Sequence, residues 1–343
     1  MKPSTSILSI AAIVLAGTIA SSHAQNATTD PVGFQTKTIP VGVTPLANPL
    51  INSNSLTAQV SSNTASVISL STSDNLATIL NSTENAGFPF YIEVVSGALE
   101  GERWEVNLSS TIASGNSTIT IDTASPNNTS TLASSSLVGS TLALRKHVTL
   151  SQLQSFFSPA LVGNNNAASA DQISVYNSST DTFTNYFLRG DNLTWRIQGT
   201  STTASKFSIP PGTGFLVTKR QSSTTFTSVG SVRTNDFSFP MPQGSSFRAA
   251  GYPISYSPAG LGGTLTNGWT GNNNANSADQ LQVYNPTTDT FTNYFLRGDG
   301  VTWRIQGTST AVTSDQLFSD NSAFMVLKRQ ADTDYVLVSP ITQ

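Results

Sequence analysis

The chain contains no cysteine and only two histidines among its 343 residues, so much of the usual reaction chemistry of side chains is missing. His23 lies in a segment that we expect to be removed, which leaves His147. Cysteine–histidine catalysis and histidine-rich zinc sites are therefore excluded, and no disulfide can stabilise the fold. A Ser–His–Asp site would have to use His147, and the sequence has no G-x-S-x-G element. We interpret His147 as a polar residue at a strand end.

Charged residues are also scarce. They make up 10% of the chain, against about 25% in typical globular domains. The formal net charge is −3 and there is no run of basic residues, which argues against nucleic acid as a partner. Serine, threonine, asparagine and glycine take the place of charge, a composition typical of exported β proteins.

Long hydrophobic runs are absent beyond the N-terminus. Lys2 precedes a largely apolar stretch from Ile7 to Ala20, and small residues at Ser22 and Ala24 form a signal-peptidase site. We predict a signal peptide over residues 1–24, with cleavage between Ala24 and Gln25. The mature chain should then have no membrane span and be secreted, periplasmic or attached to the cell surface.

The most informative feature that is present is a repeat. The 38-residue block from Gly163 to Thr200 recurs from Gly271 to Thr308, and 31 positions are identical. A spacing of 108 residues is too long for a solenoid repeat and indicates duplicated domains.

Most of the chain alternates apolar and polar residues or is rich in β-branched residues, and helical periodicity is nearly absent. The predicted fold class is therefore all-β with little helix: an N-terminal sandwich-like or barrel-like domain followed by two duplicated antiparallel modules. We place the domains at residues 25–147, 148–234 and 235–343.

Each block is predicted to be a three-stranded meander. In the first copy the strands are Gln172–Tyr176, Thr182–Arg189 and Leu193–Gln198. Asn192, which becomes Gly300 in the second copy, is predicted to lie in a tight turn with positive φ. Alternation places Leu193, Trp195 and Ile197 on the buried face of the third strand.

The alternation also predicts an exposed face that carries tyrosine and arginine. Aromatic rings beside guanidinium groups are suited to stacking against sugars and to hydrogen bonding with them. The candidate ligand-binding residues are Tyr176, Tyr186 and Arg196 in the first copy and Tyr284, Tyr294 and Arg304 in the second.

Aspartates recur at matching places in both copies and suggest a possible Ca²⁺ site, since carboxylate oxygens are the ligands that Ca²⁺ prefers. The candidates are Asp171, Asp181, Asp279 and Asp289. Asx turns at strand ends are the alternative explanation. No other cofactor is predicted.

A cluster of glutamates around Trp104 is the only feature that suggests catalysis. Glu102 and Glu105 could act as a carboxylate pair in a glycoside hydrolase. The neighbouring glycines Gly97 and Gly101 favour a solvated hairpin loop instead.

Several short stretches along the chain resemble a family of uncharacterised secreted paralogous proteins from bacteria of the Verrucomicrobia type. The stretches are Val32-Gly33-Phe34, Pro49-Leu50, Phe90-Tyr91-Ile92-Glu93, Leu144 to Leu150, Ala170-Asp171-Gln172 and Ile209 to Phe215. The resemblance implies export and brings no known activity or site.

Three classes of function remain open from sequence. The leading expectation is a non-enzymatic structural or adhesive protein of the cell surface or extracellular matrix, with self-association or extracellular polysaccharide as its partner. The alternatives are a glycan-binding protein that uses the tyrosine and arginine face, and a secreted hydrolase.

Overall fold

The computed structural model confirms the all-β prediction: strands account for 42% of the chain and helices for 8%. The residues that it describes are 31–114, 117–285, 288, 290–312, 318–319, 321–330 and 335–341. The predicted signal peptide lies outside these residues.

The strands up to residue 149 alternate with short loops, and two short helices lie among them. The strands are β1 Val32–Ile39, β2 Gly42–Ala47, β3 Asn54–Asn63, β4 Val67–Ser71, β5 Phe90–Ser96, β6 Arg103–Glu105, β7 Thr118–Thr120, β8 Thr141–Lys146 and β9 Val148–Thr149. The helices are α1 Leu76–Leu80 and α2 Leu108–Ser114.

The middle of the chain begins with a third short helix, α3 Leu150–Gln154, which the side chain of Thr149 caps at its N-terminus. Seven strands follow: β10 Phe157–Ser158, β11 Gln172–Asn177, β12 Thr182–Leu188, β13 Trp195–Ile197, β14 Ser208–Ile209, β15 Gly214–Lys219 and β16 Thr224–Ser231.

The C-terminal part adds seven strands and two 3₁₀ turns, Leu265–Asn267 and Ala275–Ser277. The strands are β17 Phe237–Phe239, β18 Gly244–Ala249, β19 Gln280–Asn285, β20 Thr290–Leu296, β21 Trp303–Ile305, β22 Ala323–Lys328 and β23 Tyr335–Leu337.

The repeated blocks form equivalent five-stranded sheets. The first has the order β13-β12-β11-β15-β2, and the second has the same order when written β21-β20-β19-β22-β18. The predicted meanders are confirmed as β11-β12-β13 and β19-β20-β21, all antiparallel. Each copy also has a long-range ribbon, β1 with β16 and β17 with β23. The duplication therefore covers two leading strands as well as the meander.

The strands β1 and β2 thus belong to the first copy and not to the N-terminal region, to which the sequence analysis assigned them. The register pairs Ala47 with Gly214 and Val32 with Ser231. These partners are far apart along the chain, so no local pattern could reveal the pairing. The region between β2 and β9 is an insertion into the first copy.

The insertion folds around its own six-stranded antiparallel sheet, with the order β6-β5-β8-β3-β4-β7. One face of this sheet is apolar and buries Ile92, Trp104 and Leu144 in a separate core. The opposite face carries charged side chains and contacts both copies: Glu93 pairs with Arg233, which leads into β17, and Arg103 donates to the carbonyl of Pro211, which precedes β15. The described chain therefore has three hydrophobic cores, one in the insertion and one in each copy.

The two copies meet through reciprocal contacts. The backbone N–H of Ala249 donates to the carbonyl of Gly212, and the N–H of Ala47 donates to the carbonyl of Asn321, both at 3.0 Å. The register makes Ala47 equivalent to Ala249, since the first pairs with Gly214 and the second with Ala323. Contacts that repeat when the two copies are exchanged define an approximate two-fold relation.

Side-chain burial confirms part of the predicted pattern and corrects the rest. Trp195 and Trp303 are fully buried, as predicted. The prediction that Leu193 belongs to the core is wrong, because 75% of its surface is exposed. Its equivalent Val301 is also exposed, at 59%. The reason is local: Asp191 Oδ1 accepts the backbone N–H groups of Leu193 and Thr194, so the turn continues and β13 begins only at Trp195.

Candidate functional site

The six predicted ligand-binding residues do not share one exposed face. In β12, Tyr186 pairs with Ile173 and Ile197, so it lies on the inner face of the sheet, and Tyr294 does the same in the second copy. Both tyrosines are buried, and burial raises the pKa of Tyr186 to about 12. These two residues are therefore wrong as members of a solvent-facing platform.

The other four predicted residues are on the outer faces of the two sheets. Tyr176 is opposite Phe183 and Arg196 is opposite Phe187. Their equivalents Tyr284 and Arg304 are placed in the same way. All four are half-buried. Strand β18 of the second copy partly covers the outer face of the first copy. The sequence analysis had predicted that this outer face is exposed.

Tyr176 lines a cleft of about 310 Å³. Its walls come from the β11–β12 hairpin of the first copy, which includes the inward-facing Tyr186, from β18 of the second copy and from a loop of the insertion at Pro126 and Asn127. Arg248 is the one charged residue in its lining. Asn177, Ser179 and other amides or hydroxyls supply most of the polar groups.

Aromatic contacts hold one wall of this cleft in place. The ring of Tyr176 packs edge-to-face on Phe183, with centroids 5.2 Å apart, and Phe183 packs in the same way on Phe247 at 5.6 Å. The Tyr176 hydroxyl donates to Asp181 Oδ1. Burial and this hydrogen bond raise the pKa of Tyr176 to about 12. Tyr176 is therefore a neutral donor with a fixed ring.

The predicted calcium ligands Asp171 and Asp279 are buried and already have partners. Asp171 pairs with Lys219 Nζ and accepts the backbone N–H groups of Val162 and Arg220 at 2.7 and 2.8 Å. In the second copy, Asp279 makes the equivalent pair with Lys328 Nζ at 2.6 Å. Their contacts favour a structural role that is repeated in both copies.

The remaining calcium candidates give no cluster either. Asp181 lies in a turn at positive φ and binds the Tyr176 hydroxyl, and Asp289 lies outside the described residues. Within the described part of the chain, no group of three or more His, Cys, Asp or Glu side chains could hold a metal ion. Calcium binding stays an untested prediction.

The glutamates of the hydrolase alternative have separate partners. Glu102 is buried and accepts from the hydroxyl of Thr129. Glu105 Oε2 lies 2.7 Å from Nε2 of His147, which is buried beneath the ring of Tyr91. His147 directly follows β8, so it lies at a strand end as predicted, and it is part of a buried polar contact. These contacts favour structural roles for both carboxylates.

A buried ionic cluster on the polar face of the inserted sheet was not predicted. Glu93 Oε1 is 2.6 Å from Arg233 Nε, and Glu93 Oε2 is 3.3 Å from Arg145 Nε. The guanidinium groups of Arg103 and Arg233 stack on the ring of Phe237. The cluster joins the insertion to the second copy. The sequence indicates this cluster only weakly, because Glu93 and Arg233 are 140 positions apart in the chain.

Comparison with protein-family models, curated proteins and solved structures finds no match for this chain. Among the described residues, no helix is long and apolar enough to cross a membrane.

Proposed function

We propose that the protein is an exported, non-enzymatic structural or adhesive component of the cell surface or extracellular matrix, and that it works through self-association. The observation that carries this proposal is an apolar patch on the ribbon β1–β16. The exposed fractions are 74% for Val32, 68% for Phe34 and 52% for Val229, and Phe34 lies directly opposite Val229. Contiguous exposed apolar side chains of this kind typically mark interaction surfaces.

The strand that carries the patch is an open edge. In the described part of the chain, β1 pairs with β16 on one side only. An eight-residue strand at the edge of a sheet can add a strand from another molecule through its backbone. Its side chains include no acidic residue and a single lysine, Lys37, so little charge opposes pairing between two copies.

The second copy supports this interpretation by contrast. In the equivalent ribbon, β17–β23, the insertion covers the edge strand: Ser238 is buried and its backbone N–H donates to the carbonyl of Gly101, whereas Thr36, the equivalent residue of β1, is exposed. The edge strand is therefore covered by the insertion in the second copy and exposed in the first, although Val338, the counterpart of Val229, is exposed as well. A second chain that adds to β1 would cover the bare ribbon.

The contacts of the acid–base groups favour binding over catalysis. Glu93, Glu102 and His147 are buried, and each has a partner within the protein. The side chains that a hydrolase would need are thus engaged in holding the sheets together.

The proposal can be tested in cells that export the chain. We expect fractionation to recover the wild-type protein with the cell surface or matrix, and Phe34→Lys to move it into the medium. Val338→Lys is the matched control, because Val338 is equally exposed outside the ribbon. Wild-type protein found free in the medium, with no binding to cells or matrix, would contradict the proposal.

A further inference from the structure

Among the described residues, the cleft beside Tyr176 has no counterpart with the same lining in the second copy. The position equivalent to Phe247 is Pro45, since Phe247 pairs with Met325 in β22 and Pro45 pairs with Leu216 in β15. A proline cannot supply the aromatic wall. In the second copy the outer face is open, and 46% of Phe291 is exposed. The loop at Asn127, which closes the cleft on one side, comes from the insertion.

Two differences between the copies, both outside the repeated block, have therefore built this site. It lies where the insertion and both copies meet, and junctions between domains are where ligand sites most often occur. Its volume of about 310 Å³ is at the lower end of the range of about 300–1,000 Å³ for small-molecule sites. A short stretch of a longer chain could be held there.

The lining specifies the chemistry of the occupant. The lining combines the aromatic rings of Tyr176, Tyr186, Phe207 and Phe247 with amide and hydroxyl groups, among them those of Asn127 and Ser179. Such a surface matches a molecule that has apolar C–H faces and a rim of hydroxyl groups. No carboxylate or histidine belongs to the lining, so the site offers recognition and no proton-transfer group.

We propose that this cleft binds a neutral carbohydrate chain, with one sugar face against the aromatic wall and its hydroxyls on the amides and on Arg248. The Tyr176 hydroxyl donates a hydrogen bond to Asp181. This hydrogen bond keeps the ring in place before the ligand arrives. The site is separate from the ribbon β1–β16, so carbohydrate binding can fail while self-association holds, and the reverse.

The test is a screen of the purified chain from Gln25 to Gln343 against neutral glycans, followed by calorimetry on the best binder. We expect Tyr176→Ala to weaken binding at least fivefold, because it removes a stacking ring. Tyr284→Ala is the matched control at the equivalent position of the second copy, where Pro45 stands in place of Phe247, and it should leave the affinity unchanged. Asn127→Ala removes an amide from a loop outside the hydrophobic cores and should also weaken binding.

Three results would overturn the proposal. The first is a folded protein that binds no neutral glycan in the screen. The second is an affinity that survives both Tyr176→Ala and Asn127→Ala. The third is an equal loss in Tyr176→Ala and Tyr284→Ala, which would place the ligand on the repeated face and not in the cleft.

Discussion

At the residue scale, Glu93 is the side chain that joins the insertion to the rest of the chain. It is fully buried between Arg233 and Arg145. Burial alone would raise its pKa, but the two guanidinium groups outweigh burial and hold the pKa of Glu93 below its ordinary value of 4.5. Removing one partner of a buried ion pair leaves an uncompensated charge, which is far more costly than losing a surface pair.

We expect Glu93→Gln to lower the free energy of unfolding by roughly 3–5 kcal/mol at pH 7, as measured by urea denaturation. Glu84→Gln is the control, since Glu84 is exposed, and it should change stability by less than about 0.5 kcal/mol. A loss of unfolding free energy in Glu93→Gln that is as small as the loss in Glu84→Gln would show that the cluster adds nothing to stability.

The same substitution predicts the direction of the pH dependence. Because the pKa of Glu93 is lower in the folded state, the stability that it contributes is present above its ordinary pKa and is lost as the pH falls through the folded pKa. The difference between wild type and Glu93→Gln should therefore shrink as the pH drops below about 4.5. A difference that is equally large at pH 3 and pH 7 would contradict this assignment.

The duplicated pairs Asp171–Lys219 and Asp279–Lys328 offer a second prediction. Since each carboxylate already accepts two backbone N–H groups and an ammonium, calcium has no vacant ligand there. We expect the melting temperature to be the same in 5 mM CaCl₂ and in EDTA, to within roughly one degree, with destabilisation by both Asp171→Asn and Asp279→Asn. A rise of several degrees with calcium would restore the metal prediction.

The burial of individual residues was predictable only where alternation continues undisturbed. Trp195 was predicted as a core residue and is buried. Leu193 failed because an Asp191 side chain extends the turn, and Tyr186 failed because a hydroxyl-bearing ring was read as exposed. Alternation gives the relative orientation of neighbours, but tertiary packing decides which face is covered.

At the scale of elements, the hairpin turn between β12 and β13 shows how the copies diverged without changing the backbone. Asn192 and Gly300 both have positive φ, at 56° and 77°, as predicted. The Asn192 side chain accepts the N–H of Gly163 at 2.8 Å. In the second copy, a Cβ at Gly300 would overlap the side chain of Leu265, so the turn there depends on glycine.

We expect Gly300→Asn to cost about 1–3 kcal/mol, because the new side chain must displace Leu265. Asn192→Gly should cost only about 1 kcal/mol, the net value of one hydrogen bond. Thermal unfolding of the two variants measures both values. Equal costs would show that the turns are interchangeable.

Most strands could be predicted from sequence, because strand patterning is local. Their pairing could not: β1 with β16 and β2 with β15 join segments that lie far apart in the chain, with the insertion between them. The cleft depends on that pairing, since it brings β18 beside the first copy. Tyr176 was predicted as a site residue, whereas Phe247 and Asn127 carried no signal of their own.

At the scale of the whole molecule, the chain consists of two copies of one β fold related by an approximate two-fold axis, with a third domain inserted into the first copy. Gly214 and Ala323 are equivalent positions and face each other at the axis. A Cβ added to Gly214 would lie 2.7 Å from that of Ala323 and 2.9 Å from the carbonyl of Arg248.

Gly214→Ala should therefore force the copies apart and destabilise the protein by about 1–3 kcal/mol through overpacking. Gly190→Ala is the control, since its nearest neighbour is the flexible end of Asn165 at 3.4 Å. Denaturation in urea compares the two variants. A tolerated Gly214→Ala would argue against close packing at the axis.

The central claim, association of the chain through the bare ribbon of the first copy, is tested most directly by sedimentation velocity on the purified chain from Gln25 to Gln343 over a range of concentrations. We predict that the wild type forms larger species as its concentration rises, that Phe34→Lys stays monomeric because a charge on the exposed patch opposes the addition of a second strand, and that Val338→Lys behaves as the wild type. A wild-type protein that sediments as a monomer at every concentration, or a Phe34→Lys variant that assembles as well as the wild type, would contradict the claim.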